Sequence, residues 1–161
     1  MNSALVLVNV VERDGQEFEK QLLINNNNVR NFHAHPVDTN YTVVTYDLRR
    51  DRRENPQHTT YKIAHTVAEF EWLLREEANE PVIPLYVNTR GHKFRMKNIV
   101  NRVEYINVDS FVLAYDNADG LSAKVWVDEG AFNILVLDVA HTINEINRRE
   151  STSYSYSESG I

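Results

Sequence analysis

Ile63-Ala64-His65-Thr66-Val67-Ala68-Glu69-Phe70 returns later in the chain as Val139-Ala140-His141-Thr142-Ile143-Asn144-Glu145-Ile146. Each stretch passes from an apolar residue through Ala-His-Thr into a Thr-x-x-Glu spacing. That spacing is a capping box: the Thr hydroxyl accepts from the amide three residues on, and the Glu reaches back to the Thr amide. In the first copy Val67, Phe70 and Leu74 continue as one apolar helix face, with Arg75, Glu76 and Glu77 outward. In the second, Ile143 and Ile146 begin a stripe that Asn147-Arg148-Arg149-Glu150 does not continue. The two stretches predict a unit that occurs twice, each copy closing on a short capped helix.

Working outward, two further matches keep the same order. Val43-Val44-Thr45-Tyr46-Asp47 resembles Val112-Leu113-Ala114-Tyr115-Asp116, and Leu7-Val8-Asn9 resembles Tyr86-Val87-Asn88. These segments are β-branched and aromatic, as strands are. Their unequal spacing calls for a longer loop in the first copy, with Asn25–Asn28 and His33–Asp38 as candidates. Ala4 to Val11 predicts a buried first strand. Asn117-Ala118-Asp119-Gly120 is a turn signal. Ala123–Val127 and Ala131–Leu137 flank Asp128-Glu129-Gly130 as a hairpin. The expected fold is therefore α+β and mainly β, a tandem duplicated unit of antiparallel strands leading into a short capped helix. The units span residues 1–80 and 81–150, with the boundary at Asn79-Glu80-Pro81. Residues 151–161 form a Ser/Tyr-rich arm, in which Tyr154 and Tyr156 alternate with Ser as on a two-faced strand added to a neighbour's sheet edge.

The 161 residues are 42% hydrophobic and 10% aromatic, enough for a sizeable core. There is no Cys, so disulfides, thiolate metal sites and a Cys nucleophile are excluded. The apolar start lacks the basic region and cleavage site of a signal peptide, and it is too short to span a bilayer. A net charge of −6 disfavours a general nucleic-acid binder. The positive charge is nonetheless clustered. Arg49, Arg50, Arg52 and Arg53 form one run, and Arg90, Lys93, Arg95 and Lys97 form another. Solvated loops and strand faces account for such runs. So does a docking patch for acidic surfaces, since Arg clusters pair with carboxylates and phosphates. The partner-binding candidates are Arg49, Arg50, Arg52, Arg53, Lys93, Arg95, Tyr154 and Tyr156.

Catalytic signals are weak. His33-Ala34-His35 places two His at strand spacing, with Asp38 or His58 as a third ligand, but Pro36 marks a loop and two ligands are not a site. His65 and His141 sit at the same strand-to-helix corner, where packing or a hydrogen bond explains them better than catalysis. No nucleophile elbow and no Gly-rich phosphate loop occurs, and with five Gly such a loop is improbable. No cofactor is expected, and the chain reads as a non-enzyme. Gly91-His92-Lys93-Phe94-Arg95-Met96 has a trace of an RNA-binding strand, with Lys93, Arg95 and Lys97 on one face. That leaves a small nucleic-acid-binding or regulatory adaptor as an alternative.

The segments Ile106-Asn107-Val108-Asp109-Ser110-Phe111-Val112-Leu113-Ala114-Tyr115-Asp116, Lys124-Val125-Trp126-Val127-Asp128-Glu129-Gly130-Ala131-Phe132, Leu137-Asp138-Val139 and Thr142-Ile143-Asn144-Glu145-Ile146 resemble small β-rich modules of tailed-bacteriophage virion proteins, in the crAss-like group. The resemblance covers residues 99–146 best. Residues 41–74 follow it loosely and lack the Trp-Val-Asp-Glu-Gly hairpin. It implies a virion structural role: an auxiliary or decorating capsid protein, or else a head–tail connector or portal-vertex protein. The implied partners are other virion proteins in a large assembly, with no membrane, and the protein would be made in the host cytoplasm. The resemblance carries over no functional residue.

Overall fold

A computed structural model describes residues 5–48, 58–77, 82–92, 97–129 and 134–148. The chain is mainly β. Ten strands form one sheet in which every neighbouring pair is antiparallel. They are β1 (Leu5–Arg13), β2 (Gln16–Asn25), β3 (Val29–Ala34), β4 (Thr42–Asp47) and β5 (His58–Ile63), then β6 (Val82–His92), β7 (Asn98–Asn107), β8 (Phe111–Asp116), β9 (Ala123–Asp128) and β10 (Ile134–Val139). Helix α1 (Val67–Trp72) follows β5 and runs into a wider turn at Leu73–Glu77. A second short helix, α2, occupies residues 143–148 after β10.

The sheet order is β2-β1-β5-β4-β3-β7-β6-β10-β9-β8. The first five strands and the last five therefore follow the same internal order. Their registers agree as well. Val10 faces Ile63, and Val87 faces Val139. The ladder slips between Val10 and Glu12 in β1 and between Val87 and Thr89 in β6. It slips again between Val29 and Asn31 in β3 and between Phe111 and Leu113 in β8. A bulge adds one residue to one strand and re-aims those beyond it, so a shared bulge is a shared curvature. The strands pair off as β1 with β6, β2 with β7, β3 with β8, β4 with β9 and β5 with β10.

Local chemistry repeats with the register. Asn25 and Asn107 each accept a backbone proton two residues on, from Asn27 and Asp109, and so open a 3₁₀ turn. The helix starts are capped as the Thr-x-x-Glu spacing predicts. The Thr66 hydroxyl accepts from the Glu69 amide at 3.1 Å and the Thr142 hydroxyl from the Glu145 amide at 3.3 Å. Each Glu carboxylate, expected to reach the Thr amide, instead accepts the Thr hydroxyl proton. At the β1–β2 hairpin Asp14 and Gly15 both take positive φ, the two-residue turn whose twist matches the strands.

Each half has its own core. Val6, Val8, Val10, Phe32, Ile63 and Phe70 belong to the first, and Leu85, Val87, Ile106, Val125, Leu137 and Ile146 to the second. Phe70 meets Phe32 edge to face, with centroids 4.8 Å apart, which fixes α1 over β3. Val82 crosses the expected boundary: it opens β6 yet is buried in the first core.

Several expectations are corrected. The first strand is half buried rather than buried. Val6, Val8 and Val10 face the core while Leu5 and Leu7 face outward, because strand side chains alternate. Asn26–Asn28 is no extra loop, since the turn Val108–Ser110 is its counterpart. His33 and Ala34 belong to β3. Val43–Asp47 lies in β4, an interior strand, and Val112–Asp116 in β8, an edge strand whose counterpart is β3. That match reflects strand composition and not equivalent position. Leu7-Val8-Asn9 corresponds to Pro84-Leu85-Tyr86, two residues earlier than the sequence match: Asn9 and Tyr86 each accept the backbone proton of the Ala preceding the corner His. The extra length lies elsewhere. The β4–β5 connection is the longer one in the first half, and the β6–β7 connection in the second. The first holds Arg49, Arg50, Arg52 and Arg53, and the second Lys93, Arg95 and Lys97.

Candidate interaction surfaces at the seam and ends of the sheet

The two corner histidines have a structural task. His65 Nε2 accepts the Asn9 amide proton at 3.2 Å, and His141 Nε2 accepts that of Tyr86 at 3.0 Å. Nδ1 of each ring lies 3.7 Å from the capping Glu of its helix, Glu69 and Glu145. Each His thus ties the start of a helix to the first strand of its half. The His33–His35 pair does not converge on a metal. His33 Nδ1 is taken by the Ala34 carbonyl at 2.9 Å, and His35 Nδ1 accepts from the Val37 and Asp38 amides. Among the described residues no group of three or more His, Asp or Glu is placed to hold a metal ion.

The halves join where β3 meets β7. Asn31 faces Ile106 and Phe32 faces Tyr105. One face of this seam is apolar. The Tyr105 ring stacks on Phe32, with centroids 5.0 Å apart and planes 2° from parallel, and it packs against the first core. Burial pushes the Tyr105 hydroxyl pKa up, and the nearby Glu71 carboxylate adds to this. Glu71 is itself raised by burial, against the pull of Arg75.

The other face holds a buried polar cluster. Asn31 Nδ2 donates to Glu129 Oε2 at 3.0 Å, and Arg90 reaches the same oxygen at 3.1 Å. Glu104, fully buried, lies 3.3 Å from Arg102 and 3.8 Å from Arg90. His33 borders the group. Burial lowers its pKa, the Ala34 carbonyl bond opposes that, and Arg102 lowers it further. Two guanidinium groups, each partly exposed, balance two buried carboxylates. That composition holds a seam in register, since any slip leaves buried charge unpaired. The turns add to it: Asn107 Nδ2 donates to the Val29 carbonyl at 2.8 Å and the Ser110 hydroxyl to that of Arg30 at 2.9 Å.

Among the described residues the end strands of the sheet are β2 and β8. On β8, Val112, Leu113 and Tyr115 are exposed; at the other end so are Leu5 and Leu7 on β1 and Leu23 on β2. Leu7 and Leu23 are direct cross-strand partners. Edge strands in soluble proteins are commonly guarded by charge, Pro or a short length. The half of β2 beside the Asp14-Gly15 turn carries Glu17, Glu19 and Lys20, but Leu22-Leu23-Ile24 carries none, and β8 has no charge before Asp116. Beside β8, Ile83, Val108, Phe111, Ala114, Ile143 and Ile146 line an open groove of about 360 Å³. Pattern reading missed these surfaces because alternation does not say which strand ends up at an edge.

Of the sequence-stretch candidates, Arg49, Arg50, Arg52, Arg53, Lys93, Arg95, Tyr154 and Tyr156 lie outside the described residues. Two members of the second basic run are described, and both are ion-paired. Arg90 is in the seam, and Lys97 lies 2.8 Å from Asp138. Arg90 lies in β6, which ends at His92, and Lys97 just before β7, which begins at Asn98; the strand-face expectation for Lys93 and Arg95 falls outside the described residues. Asp138 also accepts from the Thr89 hydroxyl at 2.8 Å and lies 3.2 Å from Lys124. Burial pulls its pKa up, but the bonds from Lys97, Thr89 and Lys124 outweigh this and hold it at about 2. No helix among the described residues is long and apolar enough to cross a membrane. No protein-family model matches the chain, nor does any curated protein or solved structure.

Proposed function

We propose that this chain is a virion structural protein that binds through the ends of its sheet, decorating or stabilising a phage head as an auxiliary capsid protein. One observation carries the docking part of the reading. Both free strands present uncharged, apolar segments where a soluble monomer would place charge. The resemblance of residues 99–146 to phage virion modules supplies the setting, with a head–tail connector as the variant role. Binding rather than catalysis is favoured because the carboxylates of the main titratable cluster are buried and each is paired with a guanidinium group.

The same proposal takes the chain as two diverged copies of one unit, residues 1–80 and 81–150, followed by the arm at 151–161. Support comes from the shared strand order, bulges, Asn turns, His corners and helix caps of the two halves. Each copy would then have grown its own basic connection: Arg49, Arg50, Arg52 and Arg53 in the first, Lys93 and Arg95 in the second. These would meet acidic patches of neighbouring virion proteins, with Tyr154 and Tyr156 on the arm.

Quantitative mass spectrometry of purified phage particles tests the setting. The expected result is a copy number in fixed ratio to a symmetric capsid or vertex component. Absence from particles overturns it.

A further inference from the structure

The seam between β3 and β7 joins the third strand of one half to the second strand of the next. That junction is heterologous, and the ends of the sheet repeat its two sides. β8 is the counterpart of β3, and β2 is the counterpart of β7. We propose that β8 of one molecule pairs antiparallel with β2 of a second copy, repeating the internal seam between molecules. In the register of the seam, Leu113 would face Ile24 of the second copy and Ala114 would face its Leu23, as Asn31 faces Ile106 and Phe32 faces Tyr105.

Both faces of the seam have matched counterparts. On the apolar face, Tyr105 stacks on Phe32, which Phe70 meets edge to face. The equivalent of Tyr105 at the free end is Leu23, which is 62% exposed. The equivalents of Phe32 and Phe70 are Ala114 and Ile146, both in the groove beside β8. The other groove residues Ile83, Val108, Phe111 and Ile143 correspond to Val6, Asn26, Val29 and Val67 around the Tyr105 seat. The groove is thus the seat of Tyr105 rebuilt with Ala114 and Ile146 in place of its two Phe, and the plug at the far end is aliphatic too.

On the polar face the substitution is again concerted. Asn31 and His33 on the β3 side become Leu113 and Tyr115. Glu104 and Glu129 on the other side become Leu22 and Leu48. The amide and the carboxylates of the seam are thus aliphatic at the ends, while its two cations stay charged, Arg90 and Arg102 becoming Arg13 and Lys20. A drift of surface residues on one side alone would not keep that match. Asn31 is 2% exposed where its counterpart Leu113 is 41% exposed, which is the difference a covering strand makes.

The partner is therefore another copy of this chain, joined head to tail by strand addition. A heterologous contact of this kind closes into a ring or runs on as a filament, as its rotation dictates. The inference rests on the docking reading of the sheet ends and not on the virion setting.

Sedimentation velocity on the purified full-length chain tests it. The wild type should grow past dimer with concentration. Leu23→Lys blocks the plug and Ile143→Lys blocks the groove; each alone should raise the half-association concentration about tenfold or more by burying an unpaired charge. Mixed, they should form a 1:1 dimer and nothing larger, because one intact plug meets one intact groove. A wild type that stays monomeric, or a mixture without dimer, overturns the proposal. Circular dichroism checks that both variants fold.

A second variant avoids charge altogether. The chain has no Cys, so Leu23→Cys with Ala114→Cys places the only thiols at facing positions. Mild oxidation should give a ladder of disulfide-linked multimers, with neither single variant giving one. A cross-link within one chain would mean that the sheet closes on itself and overturns the proposal. Removing residues 151–161 should leave association unchanged. Loss of association would assign the groove to that segment and also overturn it. If the chain stays monomeric while Leu23→Lys still abolishes particle incorporation, self-association fails and the docking reading survives with another occupant.

Discussion

His141 Nε2 accepts the backbone proton of Tyr86 at 3.0 Å, and this bond ties the start of α2 to an interior strand of the sheet. Replacing His141 by Ala leaves that amide without its acceptor at a buried corner. The expected cost is about 1–3 kcal/mol. The equivalent bond from Asn9 to His65 is longer and more exposed, at 3.2 Å, so His65→Ala should cost less, below about 1 kcal/mol. Urea denaturation of the two variants measures both. Equal losses would mean that the rings act by packing rather than through this bond.

Glu129 is the acceptor shared by Asn31 and Arg90 in the seam. Glu129→Leu alone strands buried donors and should destabilise by about 3 kcal/mol. Adding Asn31→Leu rebuilds the Leu pairing expected between sheet ends, where Leu113 and Leu48 are the counterparts. A double-mutant cycle by denaturant titration should then show a favourable coupling of about 1 kcal/mol or more. Strict additivity would show that the two side chains are not one unit.

Tyr105 lies on the opposite face of the seam, stacked on Phe32. Truncation to Ala opens a cavity above Phe32 and Phe70, with an expected loss of about 3 kcal/mol. Tyr105→Leu, which copies Leu23, should recover about half of that, since most of the apolar area returns without the ring stack. Thermal melts of both variants measure the difference. If Leu and Ala behave alike, the stack rather than burial is what holds the halves together.

Much of this architecture was legible from a few residue patterns. The Thr66 and Thr142 caps, the Asn117–Gly120 turn and the strands from Thr42 and Ala123 all follow from local rules, and local rules act through neighbours in sequence. The equivalence of β3 with β8 was not legible. Val29–Ala34 and Phe111–Asp116 share no residue at equivalent positions, because one lies in a seam and the other at an edge. The Val43–Asp47 match misled for the converse reason, since β-branched and aromatic residues suit many strands. The seam cluster escaped notice because Asn31, Arg90, Glu104 and Glu129 come from four strands or their ends. Only the register brings them together.

Acid should lower the stability of the protein over two separable pH ranges, and the sign of each follows from its pKa. Burial lowers the His33 pKa in the folded chain below its ordinary 6.5. Between that lowered value and 6.5 the unfolded chain binds more protons, so its stability contribution is complete above 6.5 and is lost as pH falls below it. Asp138 behaves differently. Its folded pKa is about 2 against an ordinary 3.8, so its contribution persists above 3.8 and is lost as pH falls towards 2. Urea midpoints measured against pH should therefore show a shallow decline below neutrality that His33→Gln flattens. A steeper one below pH 4 should be flattened by Asp138→Asn, which removes the titrating carboxylate that pairs with Lys97 and Lys124. The two substitutions act on different limbs of the same curve. A His33→Gln variant that kept the upper limb would place that titration on another group, and an Asp138→Asn variant that kept the lower limb would do the same for the carboxylate.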